Sequence, residues 1–226
     1  MFVAIPPRQK RRLRWVTPLL VIGLCTTFVW TQSLPADVRQ QLLHAWGTLG
    51  GFGANPFSVL AGTRWATLFS ALFLHGDWAH LIGNLVFLMI FGLPAERVMG
   101  SLRFLAVFLL GGAAANLSAA LSIAGDQVII GASGAVSAVI GAWLTLFPRA
   151  RLGVVIPLGM FLEFVRAPAA LLIGLWVLLQ VLFAYIGPAY GQVAWVAHVA
   201  GFGFGGLLAL LSRGAIARQM RKDRGY

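Results

Sequence analysis

Four polar side chains interrupt apolar stretches of this 226-residue chain: His80 and Asn84 in WAHLIGNLVF, Ser133 in GASGAVSAVIG, and His198 in AHVAGFGFGG. A polar group in hydrocarbon is costly and marks function by default. Ser133 and His198 have the types that pair for nucleophilic catalysis, since a neutral imidazole can take the proton from a serine hydroxyl. The oxyanion that follows needs hydrogen-bond donors. His80 and Asn84, spaced i,i+4, share one helix face and could supply them. Taken singly, each has a plainer explanation. A lone Asn is often glue between membrane helices, Ser is common in such helices, and a buried His can be structural.

The flanking residues favour chemistry. Ser133 sits in Gly131-Ala132-Ser133-Gly134-Ala135, which leaves its hydroxyl uncrowded, and Ser133, Ser137 and Gly141 form a stripe of small residues. His198 is followed by Gly201 and Gly205, the small-xxx-small spacing that lets helix backbones approach closely. A hydroxyl and an imidazole on separate helices meet only if the helices nearly touch. The orienting carboxylate of a triad is missing, because Asp37, Asp77, Glu96, Asp126, Glu163 and Asp223 fall in loops, tails or span ends. The chemistry is expected to run on a dyad. No cofactor or metal is expected, since the four histidines form no HExxH and no carboxylate accompanies them.

Helices must position these residues, and composition indicates their medium. Hydrophobic residues make up 59% of the chain and charged residues 10%, against roughly 25% charged in soluble domains. Mean hydropathy is +0.86. The net charge of +11 does not point to nucleic acid, because the basic residues cluster beside apolar runs rather than on a polar domain; no nucleotide is implied either. Cys25, the one cysteine, lies in an apolar run, which excludes an internal disulfide and suggests a packing role.

Crossing a bilayer takes about 20 mainly apolar residues. Six stretches qualify: 15–31, 78–98, 102–123, 128–147, 167–186 and 193–211. The first is too long for a signal peptide and lacks a small-residue cleavage site. The expected fold is all-α, a polytopic membrane protein built as a six-transmembrane-helix bundle. Lys and Arg accumulate on the cytoplasmic side, so Arg8, Lys10, Arg11, Arg12 and Arg14 put the N-terminus inside. Six crossings return the C-terminus to that side, leaving only Arg39 and Arg64 of the 17 basic residues outside. The expected organisation is a basic tail 1–14, a six-span domain 15–213 and a basic tail 214–226. A long outer loop, 32–77, mixes Gly and Pro with Phe52, Phe57, Leu68 and Phe73, which suggests a segment half-sunk in the interface. His80, Asn84, Ser133 and His198 lie two, six, five and five residues past their span starts. At about 1.5 Å per residue, Ser133 and His198 reach one level roughly 8 Å below the outer surface.

At these residues the chain resembles the rhomboid family of intramembrane serine proteases. The resemblance is carried by FLHGDWAHLIGNLVFLMIFG (73–92), GASGAVSAVIGAWLTLFPRAR (131–151) and AHVAGFGFGG (197–206), and covers most of the chain from about Arg64 to Leu211. It implies that Ser133 is the nucleophile, His198 the general base, and His80 with Asn84 the oxyanion-stabilising pair, helped by the backbone N–H of Ser133. His75 matches a histidine that shapes the outer loop, Gly131, Gly134 and Gly201 count as supporting positions, and Glu96 and Gly100 as structural ones. Two positions depart from the family pattern. Ala66 and Thr67 stand where a Trp-Arg pair is usual, with Arg64-Trp65 just upstream. Ser137 stands where many relatives pack an aromatic ring on the catalytic histidine, so His198 must be held another way.

The resemblance implies an intramembrane serine endopeptidase that cleaves single-span proteins near the outer face through an acyl-enzyme. Its partners would be transmembrane substrates and membrane lipid. The compact six-span chain, without a large extra domain, suggests a bacterial inner membrane as its place. A catalytically inactive rhomboid-like client-binding protein is one alternative, although it would normally lack the serine or the histidine. A small transporter or channel is another, opposed by the scarcity of charges inside the spans and the lack of a broken-helix pair.

Overall fold

The computed structural model describes residues 14–51, 64–123, 127–158, 161–186 and 195–224. Each expected apolar stretch holds a helix: α1 (Val16–Gln32), α4 running into α5 (Trp78–Phe87 and Leu93–Met99), α6 (Ser101–Ser122), α7 (Ser133–Leu146), α8 (Ala169–Ile186) and α9 (Trp195–Arg224). Trp78–Met99, Ser101–Ser122 and Trp195–Arg221 are long and apolar enough to cross a membrane unaided; the other three apolar helices are shorter. Large apolar side chains face outward, among them Ile22, Ile82, Leu175 and Leu211, the last 75% exposed. An apolar patch of that extent marks a surface made for something other than water. The basic residues Arg8 to Arg12, with Phe52, Phe57 and Asp126, lie outside the described residues.

Local chemistry fixes the helix that carries His80 and Asn84. Asp77 caps α4 by accepting a hydrogen bond from the His80 amide at 2.8 Å, which sets His80 in the first turn. Between α4 and α5 the backbone widens into a π-turn over Leu88–Gly92. Pro94 explains it, since its ring excludes the carbonyl four residues earlier and offers no N–H. At the far end, the buried Glu96 carboxylate accepts from Val16 N (3.0 Å), Thr17 N (2.9 Å), Thr17 Oγ1 (2.7 Å) and Ser101 Oγ (2.6 Å). An anion against the first turns of α1 and α6 is well placed for both helix dipoles.

The centre of the bundle is α7, buried from Gly134 to Trp143. It packs on α9 backbone to backbone. A Cβ added at Gly201, Gly205 or Gly141 would fall inside the 3.0 Å limit that real Cβ atoms respect, against Gly134 O, Ala138 O and Phe202 O respectively. Only glycine permits that approach.

Two expectations change. The fourth apolar stretch is not helical from residue 128: Val128–Ile129 forms β2, and Gly131 follows with φ +116°. A positive φ is open to glycine and ends the extended run, so Ser133 is the first residue of α7 rather than the sixth of a longer span. Secondly, the chain is not purely helical. Arg151–Leu158 (β3) and Phe161–Pro168 (β4) pair antiparallel, from Arg151↔Pro168 to Leu158↔Phe161. Their Val, Ile and Phe content suits strands, and α8 starts only at Ala169. Helix α9 continues to Arg224, through residues of the expected basic C-terminal tail. Arg103 Nη1 donates to Gln219 Oε1, tying that extension to the start of α6.

The outer loop is built onto the bundle. It contains α2 (Ala36–Trp46), β1 (Thr48–Leu49), α3 (Arg64–Ser70) and a single 3-10 turn at Ala71–Phe73. β1 pairs with β2 antiparallel, Thr48 opposite Ile129. Gly131 N donates to Ala71 O at 2.8 Å and Asn116 Nδ2 to Leu68 O at 2.9 Å. The segment just before Ser133 is thus tied to the 3-10 turn, and α6 is tied to α3.

Candidate active site

His75 lies between the 3-10 turn and α4, and only 1% of it is exposed. Its Nε2 is 3.1 Å from Asn84 Nδ2 and 3.4 Å from the Ala132 amide nitrogen. Both of these groups can only donate, so Nε2 accepts and the ring proton belongs on Nδ1. Burial, and then the charge of His80, lower the His75 pKa to about 4 from 6.5, so the ring is neutral near pH 7. Asn84, also buried, gives one Nδ2 proton to His75 and has a second to donate. The structure thereby brings His75, Asn84 and the residue before Ser133 into one hydrogen-bonded group.

His80 joins that group edge-on, its ring centroid 5.0 Å from that of His75. It lies over Gly131: a Cβ there would stand 2.5 Å from both Cε1 and Nε2 of His80. Two constraints therefore select glycine at 131, its backbone angle and the ring above it. Ser133, half-buried, opens α7 next to this cluster. No side chain caps that helix end, so its first amides lack an intrahelical acceptor.

His198 is half-buried in the first turn of α9. The positions beside the two expected catalytic residues touch, since a Cβ on Gly134 would be 3.8 Å from Ala197 O and 3.9 Å from Ala197 Cβ. Among the described residues, no hydrogen bond joins Ser133 to His198. Catalytic hydrogen bonds are often long before substrate binds and tighten afterwards. What His198 does contact comes largely from α8. Nδ1 is 2.6 Å from Gln180 Oε1, Trp176 stacks on the ring with centroids 6.3 Å apart and planes at 24°, and Trp195 meets it edge-on at 5.9 Å.

Gln180, Trp176 and Trp195 are not among the residues that the sequence singles out. A signal existed for Gln180: it is a lone amide in the apolar run Ala169–Ile186, and Trp176 lies one turn earlier on the same face. Ser137 does not substitute for the usual aromatic ring, because its Oγ donates to Ser133 O at 2.7 Å. The reversed pair Arg64-Trp65 begins α3, and Thr67 O accepts from Thr48 Oγ1 at 2.9 Å, so the position of the usual arginine contributes a backbone contact to β1.

Ser133 at one helix start thus stands in an apolar helical bundle with imidazole and amide groups on the elements beside it. The sequence profile of the Rhomboid domain matches residues 62–214, and the chain belongs to the rhomboid family. It is an integral membrane protein. RHOMBOID-like protein 5 of Arabidopsis thaliana is 28% identical over 62% of this chain and 53% of its own length. Rhomboid-like protease 2 of Toxoplasma gondii is 34% identical over 57% of this chain and 46% of its own. Rhomboid protease GluP of Bacillus subtilis is 35% identical over 43% and 19%. The chain thus spans about half the length, or less, of these relatives.

Proposed function

We propose that this chain is an intramembrane serine endopeptidase that cuts transmembrane proteins near the outer membrane face, with Ser133 as nucleophile and His198 as general base. The observation that carries this reading is the backbone contact of α7 with α9 at Gly134, Ala197 and Gly201, directly beside the two residues. Six helices cross the bilayer in this proposal, with both termini on the cytoplasmic side.

The steps balance as follows. Ser133 Oγ attacks the scissile carbonyl carbon while its proton passes to His198. The carbonyl oxygen becomes an oxyanion, met by the free Nδ2 proton of Asn84, the His80 ring and the Ser133 N–H. Collapse breaks the C–N bond, and His198 gives its proton to the departing amine. A water then attacks the acyl-enzyme, delivering one proton to His198, which returns it to Ser133 Oγ as the new carboxyl terminus leaves. His75 holds Asn84 in place, and its neutrality keeps Nε2 an acceptor.

Cleavage of a reporter transmembrane segment by the purified protein in lipid tests the dyad. Wild type should cut it, while Ser133→Ala and His198→Ala should each fall to background. Unchanged cleavage in either variant would reject the assignment.

A further inference from the structure

We propose that Gln180 is a positioning residue for the general base: its Oε1 accepts the Nδ1 proton of His198 and so leaves Nε2 as the nitrogen that receives the serine proton. The inference rests on the proteolytic reading above.

Neutral imidazole exists as two tautomers, and the partner of one nitrogen decides which is present. Gln180 is buried, 6% exposed. An amide oxygen carries no proton, so at 2.6 Å it can only accept from Nδ1–H. Nε2 then holds the lone pair. Trp176, one turn earlier on α8, stacks on the ring face, and Trp195 meets it edge-on. A hydrogen bond along the ring plane and aromatic contacts across it fix both the tautomer and the tilt of the ring.

No acidic side chain supplies this bond among the described residues. Asp77 is bound to the His80 amide and Glu96 to α1 and α6. Burying a carboxylate carries a desolvation cost that an amide avoids. The amide fixes the tautomer, but unlike a carboxylate it lends no negative charge to the imidazolium formed during attack. α8 thereby supplies what Ser137, occupied with Ser133 O, does not.

The opposing explanation is inter-helix glue, since a membrane Gln often joins two helices for stability alone. A pH profile separates the two. The ionisable surroundings of His198 are sparse. α7 has no ionisable side chain, α6 has Arg103, bound to Gln219 at the far end of α9, α5 has Glu96 and Arg97, and α8 has Tyr185. α4 adds His80. A new charge at 180 would therefore be read clearly.

Gln180→Leu should lower kcat about 10- to 100-fold with KM little changed. Gln180→Glu should keep most of kcat and raise the acidic limb of the kcat/KM profile by about one pH unit or more. In histidine-selective 15N spectra, wild type should show His198 as the Nδ1–H tautomer, and Gln180→Leu should lose that preference. Wild-type cleavage that depends on Ser133, together with an unmoved acidic limb in Gln180→Glu, would overturn the Gln180 role and leave the protease reading intact. Equal loss of thermal stability in both variants, with unchanged kcat in the folded fraction, would do the same. Absence of Ser133-dependent cleavage in wild type would instead remove the protease reading, and the role of Gln180 with it.

Discussion

Replacing Gly201 by alanine adds one methyl group where α9 meets α7. That methyl would fall inside 3.0 Å of Gly134 O, 3.1 Å from the Gly134 carbonyl carbon and 3.3 Å from Ala115 Cβ. Two of these three atoms belong to the α7 backbone and cannot rotate away, so the helices must separate. Restoring an ordinary contact needs a shift of about 1 Å, and a displacement of that size between reacting groups can cost about 100-fold in rate. Gly201→Ala should therefore lower kcat roughly 100-fold in the reporter-cleavage assay and destabilise the fold by about 1–3 kcal/mol through overpacking. Gly203 is the internal control. It lies on the same helix with nothing within 4 Å of its added Cβ, so Gly203→Ala should leave kcat unchanged and stabilise by up to about 1 kcal/mol. Full activity in Gly201→Ala, or equal losses in the two variants, would refute the claim that backbone contact between α7 and α9 sets the catalytic distance.

Asn84→Ala removes one oxyanion donor and should reduce kcat by about 100- to 1,000-fold with little effect on KM, checked by steady-state cleavage of the reporter. His75 binds its proton less readily when folded, at about 4 against 6.5, so the unfolded chain holds more protons between those values. Stability from this group is complete above pH 6.5 and declines as pH falls towards 4, by roughly 3 kcal/mol at most. Thermal unfolding should show that decline, and His75→Gln should flatten it. Glu96→Leu strands the Val16 and Thr17 amides and should cost about 2–4 kcal/mol in unfolding experiments. Activity of the Glu96→Leu fraction that remains folded should match wild type, since Glu96 bonds to α1 and α6.

Ser133, His198, His80 and Asn84 stand out in the sequence because hydrocarbon makes a polar side chain conspicuous, and the close helix contact expected from the glycines at 201 and 205 is present. Gln180 carried the same mark but not a reactive type, so nothing in its own stretch linked it to His198; only the crossing of α8 with α9 does. The start of α7 at Ser133 is not legible in the sequence for a different reason. Val128, Ile129 and Ile130 continue the apolar run, and hydropathy cannot tell a strand paired with Thr48–Leu49 from a helix turn. The hairpin at 151–168 was hidden likewise, since apolar residues satisfy either state and register decides. Pairings across distant segments, rather than composition, also account for the order of the outer loop.

The most direct test of the central claim is to react the lipid-embedded wild-type protein with a fluorophosphonate and locate the adduct by peptide mass spectrometry. A nucleophile activated by His198 predicts one adduct per chain, on Ser133, with labelling largely lost in His198→Ala. An adduct on another serine, or undiminished labelling of Ser133 without His198, would contradict it.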